Sequence, residues 1–204
     1  MTVHLRTERD ALEKLWEQGL SGRSLLLHHS RLVDEFIAGC FAGAARNLPP
    51  DTVALVALGG YGRRELFPYS DIDLMLLYHP DFRDGVKGIA DAVLYPLWDS
   101  GMEVGHGVRT VEESLLQAGE DYFFLVSMLD ARLVAGSAGL FGNLLLRFRD
   151  EYIEGRRDVF VEKMKEHRRR RRKRYGHHSY LLEPHIKEGK GGLRDIQAMV
   201  WTAK

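Results

Sequence analysis

The sequence predicts an α/β (α+β) fold, in which a small mixed sheet is flanked by helices and a helical segment lies at each end of the chain. Short apolar runs at residues 53–58 and 74–77 bracket a glycine-rich turn, as expected of two buried strands. Longer segments on either side space their apolar residues as amphipathic helices do. We therefore expect N-terminal helices at 1–50, an α/β core at 51–150, and a basic helix with the truncated start of a helical lobe at 151–204.

Composition narrows the class of protein. Of the 204 residues, 45% are hydrophobic, which is enough for a folded core, and the formal net charge is zero, so no global field attracts nucleic acid. The single Cys40 excludes an internal disulfide and suits a reducing compartment. No apolar run approaches the roughly 20 residues needed to span a bilayer. We expect a cytoplasmic protein that binds neither membrane nor nucleic acid.

The first segment predicts packing helices. Its apolar residues recur at helical spacing up to about residue 47, and the Asn-Leu-Pro-Pro sequence at 47–50 ends the pattern. Ser21 precedes the second helix and is suited to cap it. We interpret His28 and His29, on that helix, as solvent-facing or hydrogen-bonded residues rather than ligands.

The stretch at residues 59–74 combines a glycine turn with a pair of carboxylates. Gly59 and Gly60 lack Cβ atoms, so their backbone N–H groups can approach phosphate oxygens closely. Asp71 and Asp73 are two positions apart, and the period of a strand places both carboxylates on one face. Such oxygen ligands suit Mg²⁺, which commonly shares substrate phosphates. The combination predicts a metal-nucleotide site, although each signal alone is typical of a tight turn or a solvated strand end.

The core continues with a helix and a third strand. The apolar residues at 86–98 lie on one face of a helix that we expect to cover the sheet. Residues 102–109 alternate well enough to form a third strand, and Thr110 with Glu113 forms a capping box for the next helix. Residues 121–150 place apolar residues at helical spacing on two faces separated by Gly136-Ser137, which predicts further packing helices.

The third strand carries a candidate for a third catalytic carboxylate. Two-metal phosphoryl-transfer sites commonly use a further acid, either to hold the second metal or to accept the proton of the nucleophile. Glu103 is the acid on this strand, and a surface role is equally compatible with its position. Asp121 and Asp130 are alternatives, whereas we interpret His106 as a structural histidine.

The final segment is basic and then rich in turn residues. Residues 168–174 are all Arg or Lys, and seven consecutive charges point all around a helix, which favours a solvated helix over one binding face. The alternative is a patch for an acidic partner or for nucleotide phosphates. Lys187 and Arg194 flank a second glycine pair and are suited to bind a triphosphate, but ion pairs with Glu188 and Asp195 are an equal alternative.

The motifs carry a resemblance to a known family. A strand, Gly59-Gly60, ten residues and then Asp-hydrophobic-Asp-hydrophobic resemble the pattern of the nucleotidyltransferase superfamily that includes DNA polymerase β. Three blocks, at 59–77, 102–110 and 183–196, resemble more specifically the bacterial PII uridylyltransferase/uridylyl-removing enzymes. The resemblance therefore covers most of the chain.

The resemblance implies a nucleotidyltransferase fold and a reaction. That reaction is transfer of a uridylyl group from UTP to a tyrosine of the PII signalling protein, with Mg²⁺ or Mn²⁺ and release of pyrophosphate. Asp71 and Asp73 match the catalytic, metal-binding carboxylates, and Gly59 and Gly60 match the phosphate-binding glycines. The candidate site residues are Asp71, Asp73 and Glu103 as catalytic residues, with Gly59, Gly60, Arg63, Ser70, Lys187 and Arg194 as nucleotide-binding residues.

The sequence also departs from the family. Arg64 stands where the family often has glycine, Lys190 where it often has proline, and Gly107 where serine is usual. The hydrolase and regulatory domains of the family are absent from this sequence, so we expect neither uridylyl removal nor glutamine sensing here. Two alternatives remain open: an adenylyltransferase or other nucleotidyltransferase with a different acceptor, and a truncated nucleotide-binding module without activity.

Overall fold

The computed structural model describes residues 5–175 and 185–204, and the chain divides into two compact units. The first unit is Met1–Leu146 and the second is Arg147–Lys204. Within the described part of the chain, no helix combines the length and the apolar character needed to cross a membrane. The division into three segments expected from the sequence stays a prediction.

The elements alternate between helices and short strands. In chain order they are α1 (Leu5–Glu17), α2 (Gly22–Ala44), β1 (Val53–Ala57), α3 (Gly59–Gly62), β2 (Ile72–Tyr78), a 3-10 turn (Pro80–Phe82), α4 (Arg83–Asp99), β3 (Val104–Arg109), α5 (Val111–Glu120), α6 (Tyr122–Met128), β4 (Arg132–Gly136), α7 (Ala138–Tyr152), α8 (Arg157–Tyr175) and α9 (Leu193–Ala203).

The four strands form one mixed sheet in the order β3-β2-β1-β4. Strand β1 is antiparallel to both of its neighbours, with Ala57 opposite Leu74 of β2, whereas β2 and β3 run parallel, with Ile72 opposite Val104. The two motif-bearing strands are therefore adjacent, and β3 extends the sheet beside the start of β2. The predicted α/β class with a small mixed sheet flanked by helices is confirmed.

Helices cover both faces of the sheet. Helices α2 and α4 pack on the face formed by alternate residues of β1 and β2. The buried residues that carry this contact include Val33, Ile37, Leu55, Leu74, Leu76, Val93 and Leu97. On the opposite face, the Ser114 hydroxyl of α5 lies 3.5 Å from the sulfur of Met75 on β2. Burial of each such aliphatic side chain contributes roughly 1.5–3 kcal/mol relative to exposure, so the central strands form the most stable part of this unit.

The predicted helix starts are confirmed. The Ser21 hydroxyl accepts from the N–H of Ser24 at 3.2 Å, which caps α2. At α5, the Thr110 hydroxyl accepts from the Glu113 N–H at 3.2 Å, and the Glu113 carboxylate accepts from the Thr110 N–H at 2.9 Å. Each side chain satisfies a backbone donor that the first helical turn leaves unpaired.

The prediction of helices over residues 121–150, separated at Gly136-Ser137, was wrong at β4. Residues 132–136 form a strand that pairs with the edge of β1 left open by β2. The apolar run within this five-residue strand, Leu133 to Ala135, is too short for its periodicity to separate strand from helix. Gly136 is the residue that indicates the close strand pairing. Its φ is +90°, and a Cβ there would lie 2.3 Å from the Val53 carbonyl oxygen. Only glycine fits this close approach of two strands.

The second unit contains the predicted basic helix, α8. Its residues 168–170 are exposed, as expected of a solvated helix, but the Arg171 side chain is only 10% exposed and forms an ion pair with Asp195 on α9. Arg171 follows the buried Phe160 and Met164 on one stripe of the helix, and the Thr202 hydroxyl of α9 lies 3.6 Å from the Met164 sulfur. The expectation of a uniformly solvated run was therefore wrong at position 171, because that position faces α9.

Candidate active site

A single helical turn follows β1 and brings two glycines close to β2. The Leu58 N–H donates to the Asp73 carbonyl at 2.9 Å, which ties the entry of α3 to β2. Gly59 has a φ of +53°, in the left-handed region that glycine adopts without steric cost. At the other end of the turn, a Cβ on Gly62 would lie 2.1 Å from the carbonyl oxygen of Asp130. The backbone is therefore packed too closely at Gly62 for a side chain.

The Asp73 carboxylate lies between two glycines. A Cβ on Gly59 would lie 3.2 Å from Oδ2 of Asp73, and a Cβ on Gly105 would lie 2.9 Å from Oδ1. Gly105 is the partner of Asp73 in the parallel register of β2 and β3. The two glycines, one from the turn and one from the neighbouring strand, thus leave the space that the carboxylate occupies.

Exposure alternates along the start of β2 as the sequence predicts. Asp71 and Asp73 are exposed, whereas Ile72 and Leu74 are buried in the core. Glu103 is exposed, and its carbonyl accepts from the Ile72 N–H at 2.9 Å. Ile72 is paired with Val104 in the parallel strands. Extending this register by one residue places Glu103 beside Asp71, on the same face of the sheet.

The chemistry of these acids fits a magnesium ion. Within residues 5–175 and 185–204, no group of three or more His, Cys, Asp or Glu side chains is close enough to hold a metal ion. Mg²⁺ usually binds one or two protein carboxylates and completes its octahedron with water and substrate phosphates. Asp71 and Asp73 therefore supply a donor set that matches a metal brought together with a nucleotide, and the role of Glu103 as a third acid stays a prediction.

Arg63 stabilises the turn through two ion pairs. Its Nη1 donates to Oδ2 of Asp130 at 2.6 Å, and its Nε donates to Oε2 of Glu65 at 2.7 Å. Burial acts to lower the pKa of Arg63, but the bonds to Glu65 and Asp130 outweigh it and raise the pKa. Its Nη2 lies 3.8 Å from the position that a Cβ on Gly60 would take. A permanent positive charge thus lies beside the second glycine of the turn.

The alternative third carboxylates have structural roles. Asp130 has a fully buried side chain and pairs with Arg63, as described above. Asp121 caps α6, because its side chain accepts from the Phe123 N–H at 2.8 Å. Both carboxylates therefore bond groups of the fold itself, which favours a structural role for Asp130 and Asp121.

Sequence reasoning missed a buried network behind the turn. Arg132 on β4 donates two hydrogen bonds to the Asp34 carboxylate of α2, at 2.9 and 3.0 Å. The hydroxyl of Tyr61 donates to the same carboxylate at 2.7 Å. Burial raises the pKa of Tyr61 well above its ordinary value, and the neighbouring Asp34 adds to the effect. The sequence does hint at this network, because a charged residue adjoins each apolar run. Asp34 follows Leu32-Val33, and Arg132 precedes Leu133-Val134.

The same helix also holds the chain beyond the turn. His29, buried on α2, donates from Nδ1 to the Leu66 carbonyl at 3.0 Å, and the Ser30 hydroxyl accepts from the Leu66 N–H at 3.3 Å. His28 is exposed. The expectation that these histidines are solvent-facing or hydrogen-bonded is confirmed.

Two protein-family models match this chain. Residues 6–119 match the model of a family described as "Putative nucleotidyltransferase DUF294". The chain belongs to this nucleotidyltransferase family. Residues 159–204 match a second model, described as GlnD PII-uridylyltransferase. The predicted recognition is confirmed by these two matches together with the relatives below.

Curated relatives match nearly the whole chain. A bifunctional uridylyltransferase/uridylyl-removing enzyme of Nitrosospira multiformis is 41% identical over 207 residues, which cover 98% of this chain and 22% of the relative. Enzymes of the same name from Nitrosococcus oceani and Nitrobacter hamburgensis are 40% and 37% identical, over 96% and 100% of this chain and 22% and 23% of their own lengths. The chain thus spans less than a quarter of the length of these relatives.

Arg64, at the end of the turn, has an uncommon backbone conformation for a residue with a side chain. Its φ is +60°, in the left-handed region where glycine is favoured. Its side chain is exposed. The arginine therefore adds local backbone strain at the end of the turn rather than crowding the two glycines at its start. Six residues later, the Ser70 hydroxyl donates to the Phe67 carbonyl at 3.1 Å, and a nucleotide contact by Ser70 stays a prediction.

In the second unit, the predicted nucleotide-binding cations lie in a hydrogen-bonded loop. The Arg194 N–H donates to the Lys187 carbonyl at 3.0 Å. The Arg194 side chain donates to Glu188 at 3.3 Å and to Gln197 at 2.9 Å. The alternative of an internal ion pair therefore has structural support for Arg194 with Glu188, while nucleotide binding by Lys187 or Arg194 stays a prediction. Residues 183–184 of the third motif block lie outside the described residues.

Proposed function

We propose that this chain carries the nucleotidyltransferase activity of a PII uridylyltransferase. It would transfer a uridylyl group from UTP to a tyrosine of the PII signalling protein and release pyrophosphate. The match to the nucleotidyltransferase family and the names of the curated relatives support this proposal. The cytoplasmic location expected from the single cysteine is part of the same proposal.

The observation that carries the proposal is the position of the Asp73 carboxylate. It lies between Gly59 of the turn and Gly105 of β3, at the exposed end of β2. Turn glycines next to an acid pair suit a triphosphate with its metal, since N–H groups face phosphate oxygens while the carboxylates face the cation. The Arg63 guanidinium, held by Asp130 and Glu65, lies beside Gly60 and would face the same ligand.

The reaction is an in-line displacement. The phenolic oxygen of the acceptor tyrosine attacks the α-phosphorus of UTP, a new phosphorus–oxygen bond forms, and the bond between that phosphorus and the bridging oxygen to the β-phosphate breaks. The electron pair of that bond leaves on pyrophosphate. The phenolic proton passes to a base, and Glu103 is our candidate because the register sets it on the face of Asp71.

Asp71 and Asp73 would hold Mg²⁺ or Mn²⁺ in this proposal. A bound divalent ion would neutralise charge on the triphosphate and on the departing pyrophosphate. The protein would contribute mainly positioning: the turn fixes the phosphates, and the two strands fix the carboxylates.

The test is a transfer assay on the 204-residue chain. The protein is incubated with purified PII, Mg²⁺ or Mn²⁺, and one of four nucleotides labelled on the α-phosphate: UTP, ATP, GTP or CTP. We expect label on PII from UTP alone. Asp73→Asn should abolish transfer, and Asp81→Asn is the matched control, because the Asp81 side chain is 92% exposed and lies outside the candidate site.

Each other outcome decides against the proposal. Label from ATP would identify an adenylyltransferase, and metal-nucleotide binding without transfer to PII would identify a nucleotide-binding module. Normal transfer by a folded Asp73→Asn variant would contradict the assignment of the metal-binding carboxylates.

A further inference from the structure

The glycine turn depends on contacts from outside itself. Helix α3 has four residues, and a helix of one turn is unstable alone because nucleation fixes several backbone dihedrals for each hydrogen bond formed. The turn closes through the N–H of Gly62 to the Leu58 carbonyl at 2.9 Å and the N–H of Glu65 to the Gly60 carbonyl at 2.9 Å. Its last two carbonyls are on Tyr61, which accepts from the Arg64 N–H at 3.1 Å, and on Gly62, where a donor from another element can complete the turn.

Arg132 donates a hydrogen bond to each of these two carbonyls. Its Nη2 donates to the Tyr61 carbonyl at 3.2 Å, and its Nε donates to the Gly62 carbonyl at 3.2 Å. A cation at this end of a helical turn also interacts favourably with the aligned peptide dipoles. One side chain of β4 thus bonds both terminal carbonyls of the turn that carries the candidate phosphate-binding glycines, and at Tyr61 it adds to the bond from the Arg64 N–H.

Asp34 fixes the orientation of Arg132. Its carboxylate accepts from Nη1 and Nη2 of the guanidinium, and the two side chains are each 18% exposed. The planar guanidinium fork matches a carboxylate in two parallel bonds, so its Nε edge is directed at the turn. The Tyr61 hydroxyl donates to the same carboxylate, which links the turn's own side chain to this pair.

We propose that Arg132, oriented by Asp34, is a positioning residue that holds the glycine turn in place for nucleoside triphosphate binding. The inference rests on the proposed function. The other end of the turn lies against the site, since Gly59 leaves only enough room for Oδ2 of Asp73. When the Arg132 contacts are lost, the turn shifts or opens, and both the phosphate-binding N–H groups and the space for Asp73 change.

The test uses variants of the 204-residue chain with a matched control. Arg132→Met removes the donors and keeps a long side chain, Arg132→Lys keeps the charge without the planar fork, and Tyr61→Phe removes one hydroxyl. Arg83→Met is the control, because the Arg83 side chain is 68% exposed and forms a surface ion pair with Glu113, away from the turn.

Two measurements separate positioning from general stability. The first is amide hydrogen exchange without nucleotide. In Arg132→Met we expect exchange about tenfold or more faster at Gly62 and Glu65, with Leu76 in β2 unchanged, because bonds to a charged donor are lost only at the turn. The second is the dissociation constant for Mg-UTP, measured well below each variant's melting temperature. It should rise about tenfold in Arg132→Met, less in Arg132→Lys and least in Tyr61→Phe.

The outcomes distinguish this inference from the proposed function. Unchanged exchange at the turn in a folded Arg132→Met variant overturns the inference, whatever the nucleotide affinity. Faster exchange with unchanged Mg-UTP affinity also overturns it. If the unaltered protein binds no Mg-UTP, the proposed function fails and the nucleotide part of this inference with it, while exchange still decides whether Arg132 holds the turn. If Arg132→Met does not fold, Tyr61→Phe and Arg132→Lys provide the same two measurements.

Discussion

Gly105 lies opposite Asp73 in the parallel pair of strands, and a Cβ at Gly105 would come within 2.9 Å of Oδ1 of the Asp73 carboxylate. Real Cβ atoms are not found so close to an oxygen, so the carboxylate would have to move. The absence of a side chain at Gly105 is therefore a condition for the orientation of Asp73. Because the neighbour is a side-chain end rather than backbone, the fold itself can tolerate a methyl group at this position.

The first prediction is that Gly105→Ala impairs transfer more than stability. A displacement of about 1 Å in a catalytic group can cost on the order of a hundredfold in rate, so we expect at least about a tenfold loss of uridylyl transfer. The unfolding free energy should change by less than about 1 kcal/mol, since only a surface carboxylate is displaced. Transfer is measured with labelled UTP and PII, and stability by urea denaturation.

Gly107 provides the matched control on the same strand. A Cβ there would meet the Arg109 guanidinium, at 1.7 Å from Nη1, and that flexible end can move away without touching Asp73. Gly107→Ala should therefore transfer at nearly the normal rate. Equal losses in the two variants would show that the effect belongs to the strand rather than to the contact with Asp73.

The second prediction concerns close packing at the end of the turn. In Gly62→Ala, the new methyl group would lie 2.1 Å from the Asp130 carbonyl and 3.0 Å from the Ala57 carbonyl. Both neighbours are backbone atoms that cannot rotate away, so we expect a loss of at least about 2 kcal/mol in unfolding free energy. Chemical denaturation gives this value directly.

Gly88 is the opposite case and serves as the control for this substitution. It is exposed in the interior of α4, and a Cβ there would meet nothing within 4 Å. Gly88→Ala should stabilise the protein by about 0.5–1 kcal/mol, because alanine has the higher helix propensity. A loss of stability in Gly88→Ala comparable with that in Gly62→Ala would contradict the packing argument.

Much of the fold could be predicted because its signals are local. The apolar runs of β1 and β2, the face of α4 and the Thr110 capping box each lie within one short segment, where periodicity and capping residues are readable. The same holds for the glycine turn and for the alternation at Asp71 and Asp73. These features follow from the backbone geometry of the elements that contain them.

The parts that could not be predicted depend on contacts between distant residues. Asp34 and Arg132 are 98 positions apart, and nothing in either segment indicates that the other is its partner. Strand β4 is a strand because β1 has an open edge, which is a property of the assembled sheet. Arg63 pairs with Asp130, 67 positions away, and nothing in the segment around the two glycines indicates that partner.

The third prediction concerns the strained conformation of Arg64. A non-glycine residue in the left-handed region costs roughly 1 kcal/mol or more, whereas glycine adopts it without that penalty but loses more entropy on folding. Arg64→Gly should therefore raise the unfolding free energy by up to about 1 kcal/mol. Thermal or urea denaturation measures the change.

Arg64→Ala separates the backbone effect from the loss of the arginine side chain. Alanine has the same steric strain as arginine at a φ of +60°, so Arg64→Ala should show no comparable gain in unfolding free energy. If both variants are stabilised equally, the gain comes from removing an exposed charge, and the strain argument fails.

The fourth prediction is that the second unit loses stability in acid through Asp195. Burial acts to raise the pKa of Asp195, but the Gly191 N–H and the charges of Arg171 and Arg168 outweigh it and lower the pKa. A carboxyl whose folded-state pKa lies below its unfolded value stabilises the fold above the unfolded pKa. This contribution disappears as the pH falls below about 4 and through the folded-state value.

Asp195→Asn tests this sign, because asparagine keeps the shape of the side chain and cannot titrate. Amide exchange of α8 and α9 is compared at pH 7 and near pH 3, with each rate corrected for the intrinsic effect of pH on exchange. In the unaltered chain, protection should fall markedly more between these values than in Asp195→Asn, which should already be less protected at pH 7. Glu166→Gln is the control, since this exposed acid pairs, among the residues that the structure describes, with Arg170 on its own helix, where ion pairs contribute about 0.5 kcal/mol or less. An equally steep fall in Asp195→Asn and in the unaltered chain would show that other acids cause the acid sensitivity of this unit.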